Sequence, residues 1–182
     1  RRDYFSFIFQ DDYLMPYYSC QENMLITGLI QRKIPSDVAV RLLKKPLESL
    51  NLSGNGLLHQ QPSLLAGGQK QRLSFIRAIV KDFDVLFGDE PTGNLDNTNS
   101  AVLFDFIRLV IAGGSRSAVI VSHNVELSVE KADRIIVLTP ANDHSPAPYH
   151  LDPAHVFNRT GNGLWDNFPE TRELISHIKS IL

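Results

Sequence analysis

Phe83-Asp84-Val85-Leu86-Phe87-Gly88-Asp89-Glu90-Pro91 runs apolar for most of its length and then ends on two adjacent carboxylates and a proline. A short apolar run with aromatic and β-branched residues predicts a buried strand over 84–88. A solvated turn accounts for one acid; a metal ion and a reactive water account for both. Parallel α/β sheets collect ligands at the carboxyl ends of their strands, and successive residues there point to opposite sides. An Asp at position 89 can then hold Mg²⁺, directly or through water, while Glu90 reaches a nucleophilic water. The bland alternative is a strand that ends in an ordinary charged cap.

The surrounding composition narrows the choice. At 182 residues, 43% hydrophobic and 21% charged, the chain suffices for one domain with a sizeable core. Eighteen basic against twenty acidic side chains give a net charge of -2, which argues against a nucleic-acid surface, and no nucleic-acid partner is expected. The single cysteine, Cys20, excludes an internal disulfide framework and fits a reducing compartment. No apolar run has the length to cross a bilayer, so a membrane role has to come through a partner. The chain starts at Arg1-Arg2-Asp3 without an initiator Met or signal peptide, which suggests that a segment precedes it.

Working outward, "YFSFIF" (Tyr4 to Phe9) predicts a strand that delivers Gln10. Helices are expected over 21–31, over 36–50 with Ser36 as N-cap and Pro46 shortening or bending it, over 67–80, over 98–111 and over 125–131. Strands are expected over 117–122 and 134–139. With the 84–88 strand these imply a parallel sheet covered on both faces. Residues 51–63, with Gly54-Asn55-Gly56, read as loop. Ala141 to Asn167 reads as an extended wrap or linker in which His144, His150 and His155 are loop histidines. A terminal helix from about Pro169 presents Leu174, Ile175, Ile178 and Ile181 on one face.

Two further motifs carry chemistry. In Leu65-Ala66-Gly67-Gly68-Gln69-Lys70-Gln71-Arg72, two glycines open a helix, where backbone N–H groups and the helix dipole favour an anion. The trailing Gln-Lys-Gln-Arg reads as a phosphate-facing edge or as plain surface. The strand over 117–122 delivers His123, a candidate for stabilising charge on a phosphate.

In this order the motifs resemble the ATP-binding cassette (ABC) ATPases, from their Q-loop onward, over roughly residues 4 to 139. "DEPTGNLD" and "FIFQ" are closest to the lipoprotein-releasing, macrolide-exporting and cell-division subfamily. Gln10 is similar to the Q-loop glutamine, "LAGGQ" to the signature motif, "VLFGDEP" to Walker B, Gly93-Asn94-Leu95-Asp96 to the D-loop, and His123 to the switch histidine. The resemblance implies an α/β fold: a partial, parallel-sheet P-loop NTPase-like core over 1–140, a helical subdomain over about 11–80, and a C-terminal extension over 141–182. It implies ATP and Mg²⁺ as ligands, with Glu90 as general base, His123 and Gln10 as its catalytic companions, and Asp89 with Gln10 on the metal. Ala66, Gly67, Gly68, Gln69 and Asp96 would meet nucleotide held by a second cassette in a head-to-tail dimer. A membrane permease is the implied partner, docking on the helical segment that begins Tyr13-Leu14-Met15-Pro16-Tyr17-Tyr18, and the protein would lie in the cytoplasm, peripheral to the inner membrane. Those apolar and aromatic residues serve equally well to pack the segment's own core.

The chain departs from the family pattern in two places. It contains no G-x-x-x-x-G-K-[ST] phosphate loop, so as written it is expected to bind ATP poorly and to leave an exposed edge or apolar face. Ala66 stands where the family has serine, a loss worth on the order of 1 kcal/mol. The competing readings are a soluble, non-transport ABC ATPase and a non-catalytic interaction fragment.

Overall fold

A computed structural model describes residues 4–32, 36–54, 56–140 and 149–182. They form two compact units, Arg1–Ser122 and His123–Leu182. In the first unit, strands β1 (Phe5–Ile8), β2 (Val85–Asp89) and β3 (Ser117–Val121) make a parallel sheet in the order β1-β2-β3. Phe7 lies opposite Phe87 and Asp89 opposite Val121, so the three carboxyl ends align on one edge. Helices α1 (Cys20–Arg32), α2 (Ser36–Ser49), α3 (Gly67–Val80) and α4 (Asn97–Ile111) complete the unit, α3 and α4 packing on the sheet and α1 and α2 on α3.

β1 sorts its side chains by the two-residue period of a strand. Ser6 and Ile8 are each 1% exposed, whereas Phe5 and Phe7 are 51% and 50% exposed. The buried face meets α3, where the Ser6 hydroxyl donates to the Ala78 carbonyl at 2.6 Å. Phe75, Leu73 and Ile76 of α3 join Leu86 of β2 and Leu103 and Phe106 of α4 in one core, to which α1 and α2 add Met24, Leu25, Leu43 and Leu47. Burial of this apolar stripe, rather than propensity, holds the short helices. Cys20 lies in the same core, and burial pushes its thiol pKa up.

The helical boundaries match the sequence expectation within a residue or two, with two refinements. Pro46 neither ends nor shortens α2, which continues to Ser49. Residues 51–63 carry two 3-10 turns, Leu57–His59 and Pro62–Leu64, whose Leu57 and Pro62 are buried. The loop therefore contributes to the core.

In the second unit, helices α5 (Val125–Lys131) and α6 (Thr171–Ile181) accompany strands β4 (Arg134–Pro140) and β5 (Tyr149–Asn158). Here two expectations are corrected. β4 pairs antiparallel with β5, with Ile135 opposite Phe157, and among the described residues it takes no place in the parallel sheet. The stretch read as a linker supplies that partner strand, which lies with β4 in the compact unit His123–Leu182. The register slips between Ile136 and Leu138, leaving Pro153 in a bulge where its missing N–H costs no ladder bond. His155 consequently lies in a strand; His144 is outside the described residues, as are the side chains of Ser36 and His150. As expected of the terminal helix, Leu174 and Ile178 are buried, and they join Val129, Val137, Phe157 and Trp165 in a separate core.

The sheet of the first unit is covered on one face only, against the expectation of two covered faces and in line with that of an exposed apolar one. Phe5 and Phe7 pack on Phe87 with centroids 5.7 and 5.5 Å apart, and Phe9, Val119 and Val121 extend the patch. An apolar patch of this kind marks an interaction site or an aggregation liability. The 182-residue chain is accordingly expected to bind a hydrophobic dye and to associate as concentration rises. Phe7→Ser and Phe87→Ser together should reduce both in fluorescence and sedimentation measurements.

Candidate functional site

The carboxyl ends of β1 and β2 present Gln10, Asp89 and Glu90 on one edge of the first unit. Asp89 is exposed at the last position of β2. Glu90 follows with φ 44°, the left-handed region that a non-glycine residue occupies at a cost. Two bonds impose that conformation: Glu90 N–H donates to the Val121 carbonyl and Gly93 N–H donates to the Glu90 carbonyl, each at 3.0 Å. Gly88 prepares the turn, because a Cβ there would lie 2.7 Å from Ile120 Cδ1 and 3.3 Å from Pro91 Cγ. A Cβ on Gly93 would sit 3.9 Å from Glu90 Cβ and 4.0 Å from Gln10 Cγ, so these three residues share one spot.

α3 begins with no side-chain acceptor at its N-cap. Ala66 N–H donates to Gln69 Oε1 at 3.0 Å, the returning half of a capping box whose forward half a serine would supply. Gln69 thus uses its carbonyl oxygen on the helix start. Gly67 has open space around its Cβ position, while at Gly68 the segment before α4 approaches, with Leu95 Cδ2 3.2 Å from where a Cβ would lie. Asp96 caps α4: Asn99 N–H donates to Oδ1 at 2.9 Å and Asn99 Nδ2 to Oδ2 at 2.6 Å. These bonds, the backbone N–H of Asn99 foremost, hold its carboxyl below the usual range. Arg72 Nη1 donates to Asn99 Oδ1 at 2.8 Å and joins the starts of α3 and α4.

The first unit therefore brings together Gln10, Asp89 and Glu90, and separately the starts of α3 and α4. His123 opens the second unit directly before Asn124, the N-cap of α5.

Sequence reasoning missed the groups that hold this edge in place. Gln71, read as a phosphate-facing edge or plain surface, is 1% exposed. Its Nε2 donates to the carbonyls of Phe9 (3.3 Å) and Pro91 (3.1 Å), tying the end of β1 to the turn after β2. Arg77 donates from Nη1 to the Tyr13 carbonyl and from Nη2 to the Asp12 carbonyl, both at 2.7 Å, and so fixes the loop after Gln10 where Tyr13 has φ 43°. Asn23 is fully buried, accepting from Met15 N–H and donating to the carbonyls of Met15, Tyr18 and Ser19. The usable signal for Gln71 was helical spacing, since it shares a face with the buried Phe75 and Ala78.

The donor set fits Mg²⁺, which takes one or two protein groups and completes its shell with phosphate and water. Asp89 and Gln10 would hold it. Among the described residues no three His, Cys, Asp or Glu side chains converge on a metal position, and no helix is long and apolar enough to cross a membrane.

The family model for the ABC transporter matches residues 1–93. The lipoprotein-releasing system ATP-binding protein LolD of Colwellia psychrerythraea is 32% identical over 178 residues, covering 95% of this chain and 67% of that protein. The chain belongs to the ABC transporter family. LolD of Zymomonas mobilis is 40% identical over 139 residues, 76% of this chain, and the chain spans 58% of that relative's length. The macrolide export ATP-binding/permease protein MacB of Nitrosomonas europaea is 30% identical over 186 residues, 94% of this chain and 28% of that protein. The resemblance to the lipoprotein-release and macrolide-export subfamily thus holds. Among solved structures, a dimeric ATP-binding cassette in a post-hydrolysis state bound to ADP and Pi superposes with a TM-score of 0.67 at 23% identity, covering 75% of this chain and 59% of that one. This agreement shows the α/β cassette fold.

Gln71→Leu should cost about 1–3 kcal/mol, because the buried Pro91 carbonyl and the part-buried Phe9 carbonyl lose their donor. Ala66→Ser should gain about 0.5–2 kcal/mol by completing the N-cap. Urea midpoints of the two variants measure both. The depressed Asp96 pKa means that its cap stabilises fully above the unfolded carboxylate pKa and is lost as pH falls through the lower folded value. Asp96→Asn should flatten that acid limb, read as urea midpoint against pH.

Proposed function

We propose that this chain is the hydrolytic and dimer-facing part of an ATP-binding cassette that couples ATP hydrolysis to a membrane permease. One observation carries the reading: Glu90 is held in a left-handed conformation at the strand end, beside Asp89 and Gln10. Strain maintained by two backbone bonds at a carboxylate is the pattern of a group kept for chemistry. In this reading Glu90 accepts a proton from the attacking water, Gln10 orients that water, and His123 donates to the γ-phosphate as negative charge builds. Asp89 and Gln10 hold Mg²⁺, which when bound neutralises phosphate charge. Ala66, Gly67, Gly68, Gln69 and Asp96 face the nucleotide of a second cassette, the N–H groups of Gly67 and Gly68 serving as donors. The similar solved cassettes are dimeric, which supports that part of the reading.

The exposure pattern after Gln10 supports a permease partner. Leu14 packs on the core, but Tyr13 and Tyr17 are 64% and 90% exposed on a loop fixed by Arg77 and Asn23. Rigidly presented aromatic side chains suit docking to another protein. A cytoplasmic position at the inner membrane follows from such a partner. The 182-residue chain has no phosphate loop of its own, so by itself it is proposed to hold ATP poorly.

The test is phosphate release by the intact protein. Glu90→Gln, which preserves shape and backbone, should lower turnover by about 10²-fold or more while ATP binding persists. A rate unchanged by the substitution would remove Glu90 from this role.

A further inference from the structure

We propose that Arg159 is a positioning residue for His123, acting through α5; the inference rests on the catalytic reading of His123 given above. α5 has only seven residues, too few to persist without external support. Its first turn is capped by Asn124, whose Oδ1 accepts from Leu127 N–H at 2.9 Å. Its last turn is held from outside. Arg159, at the end of β5, donates from Nη2 to the carbonyls of Val129 (2.5 Å) and Glu130 (3.0 Å) and from Nε to that of Ala132 (3.0 Å). The guanidinium thus satisfies three carbonyls at the end of the helix and complements its dipole.

The clasp is itself anchored. The guanidinium stacks on Trp165 at 4.8 Å from the ring centre, and Trp165 is buried in the core with Val129, Leu174 and Ile178. Nη1 reaches the Gly163 carbonyl at 3.3 Å, and the Arg159 backbone N–H donates to the Asp133 carbonyl at 2.8 Å, closing the turn that follows α5. By comparison, the exposed Lys179–Glu126 pair between α6 and α5 contributes little. His123 precedes the N-cap directly, so α5 is a rigid arm about 10 Å long with His123 at one end and Arg159 at the other. Releasing the far end changes where the near end points.

The test is a double-mutant cycle in the intact protein. Arg159→Ala should lower kcat for ATP by about tenfold or more, with KM within about twofold, because misplacement of a catalytic group costs rate before binding. In a His123→Ala background the same substitution should cost nothing further. Arg159→Lys keeps the charge but lacks the fork, and should show the same pattern in a variant whose fold is less perturbed. Backbone amides over 125–128 should exchange faster in either variant. Losses that add fully in both backgrounds, or faster exchange without loss of turnover, would overturn the proposal. If neither Glu90→Gln nor His123→Ala alters turnover, it is the catalytic reading that fails. The exchange measurement then still decides whether Arg159 holds the His123 end of α5, and unchanged exchange overturns that as well.

Discussion

The carboxamide of Gln71 is the interaction on which the first unit depends. From the buried face of α3 it donates to one carbonyl at the end of β1 and another just beyond β2. Two strand ends are thereby set at a fixed separation by a single side chain. Gln10 and Glu90 inherit their proximity from that separation. A neutral amide suits the task, because it supplies two N–H donors without the desolvation cost of a buried charge. Arg77 repeats the device farther along α3, pinning the loop that carries the exposed tyrosines.

The chain divides its work between sorting and holding. Period-two alternation in β1 sends Ser6 and Ile8 to the core and the phenylalanines outward. Helical spacing in α3 buries Leu73, Phe75 and Ile76 against the sheet while its first turn remains open. Polar side chains within the core then fix the loops between elements. Asn23 alone satisfies four backbone groups of the segment from Met15 to Ser19.

Much of this was legible in the sequence. The strand ending in Asp89-Glu90, the Gly67-Gly68 helix start and the terminal amphipathic helix follow from local pattern, and the structure has each of them. What was not legible is partnership. Nothing in "RIIVLT" says that its neighbour lies across residues 141–148, in a strand that takes up Pro153 only by bulging. Gln71 and Arg159 escaped notice for a related reason. A polar residue reads as surface until its partners are known, and those partners are backbone carbonyls far away in the chain. The left-handed turn at Glu90 likewise depends on Val121, thirty-one residues later.

That turn bears on how the chain would change over many generations. At φ 44° the backbone at position 90 is most comfortable with glycine or asparagine. With the role proposed for Glu90, stability and chemistry pull the codon in opposite directions. In a lineage released from the need to hydrolyse anything, position 90 would relax early, while Gly88 and Gln71 would stay for the sake of the fold. On the proposed role the glutamate would be a marker of use, written at a place where the backbone would prefer its absence.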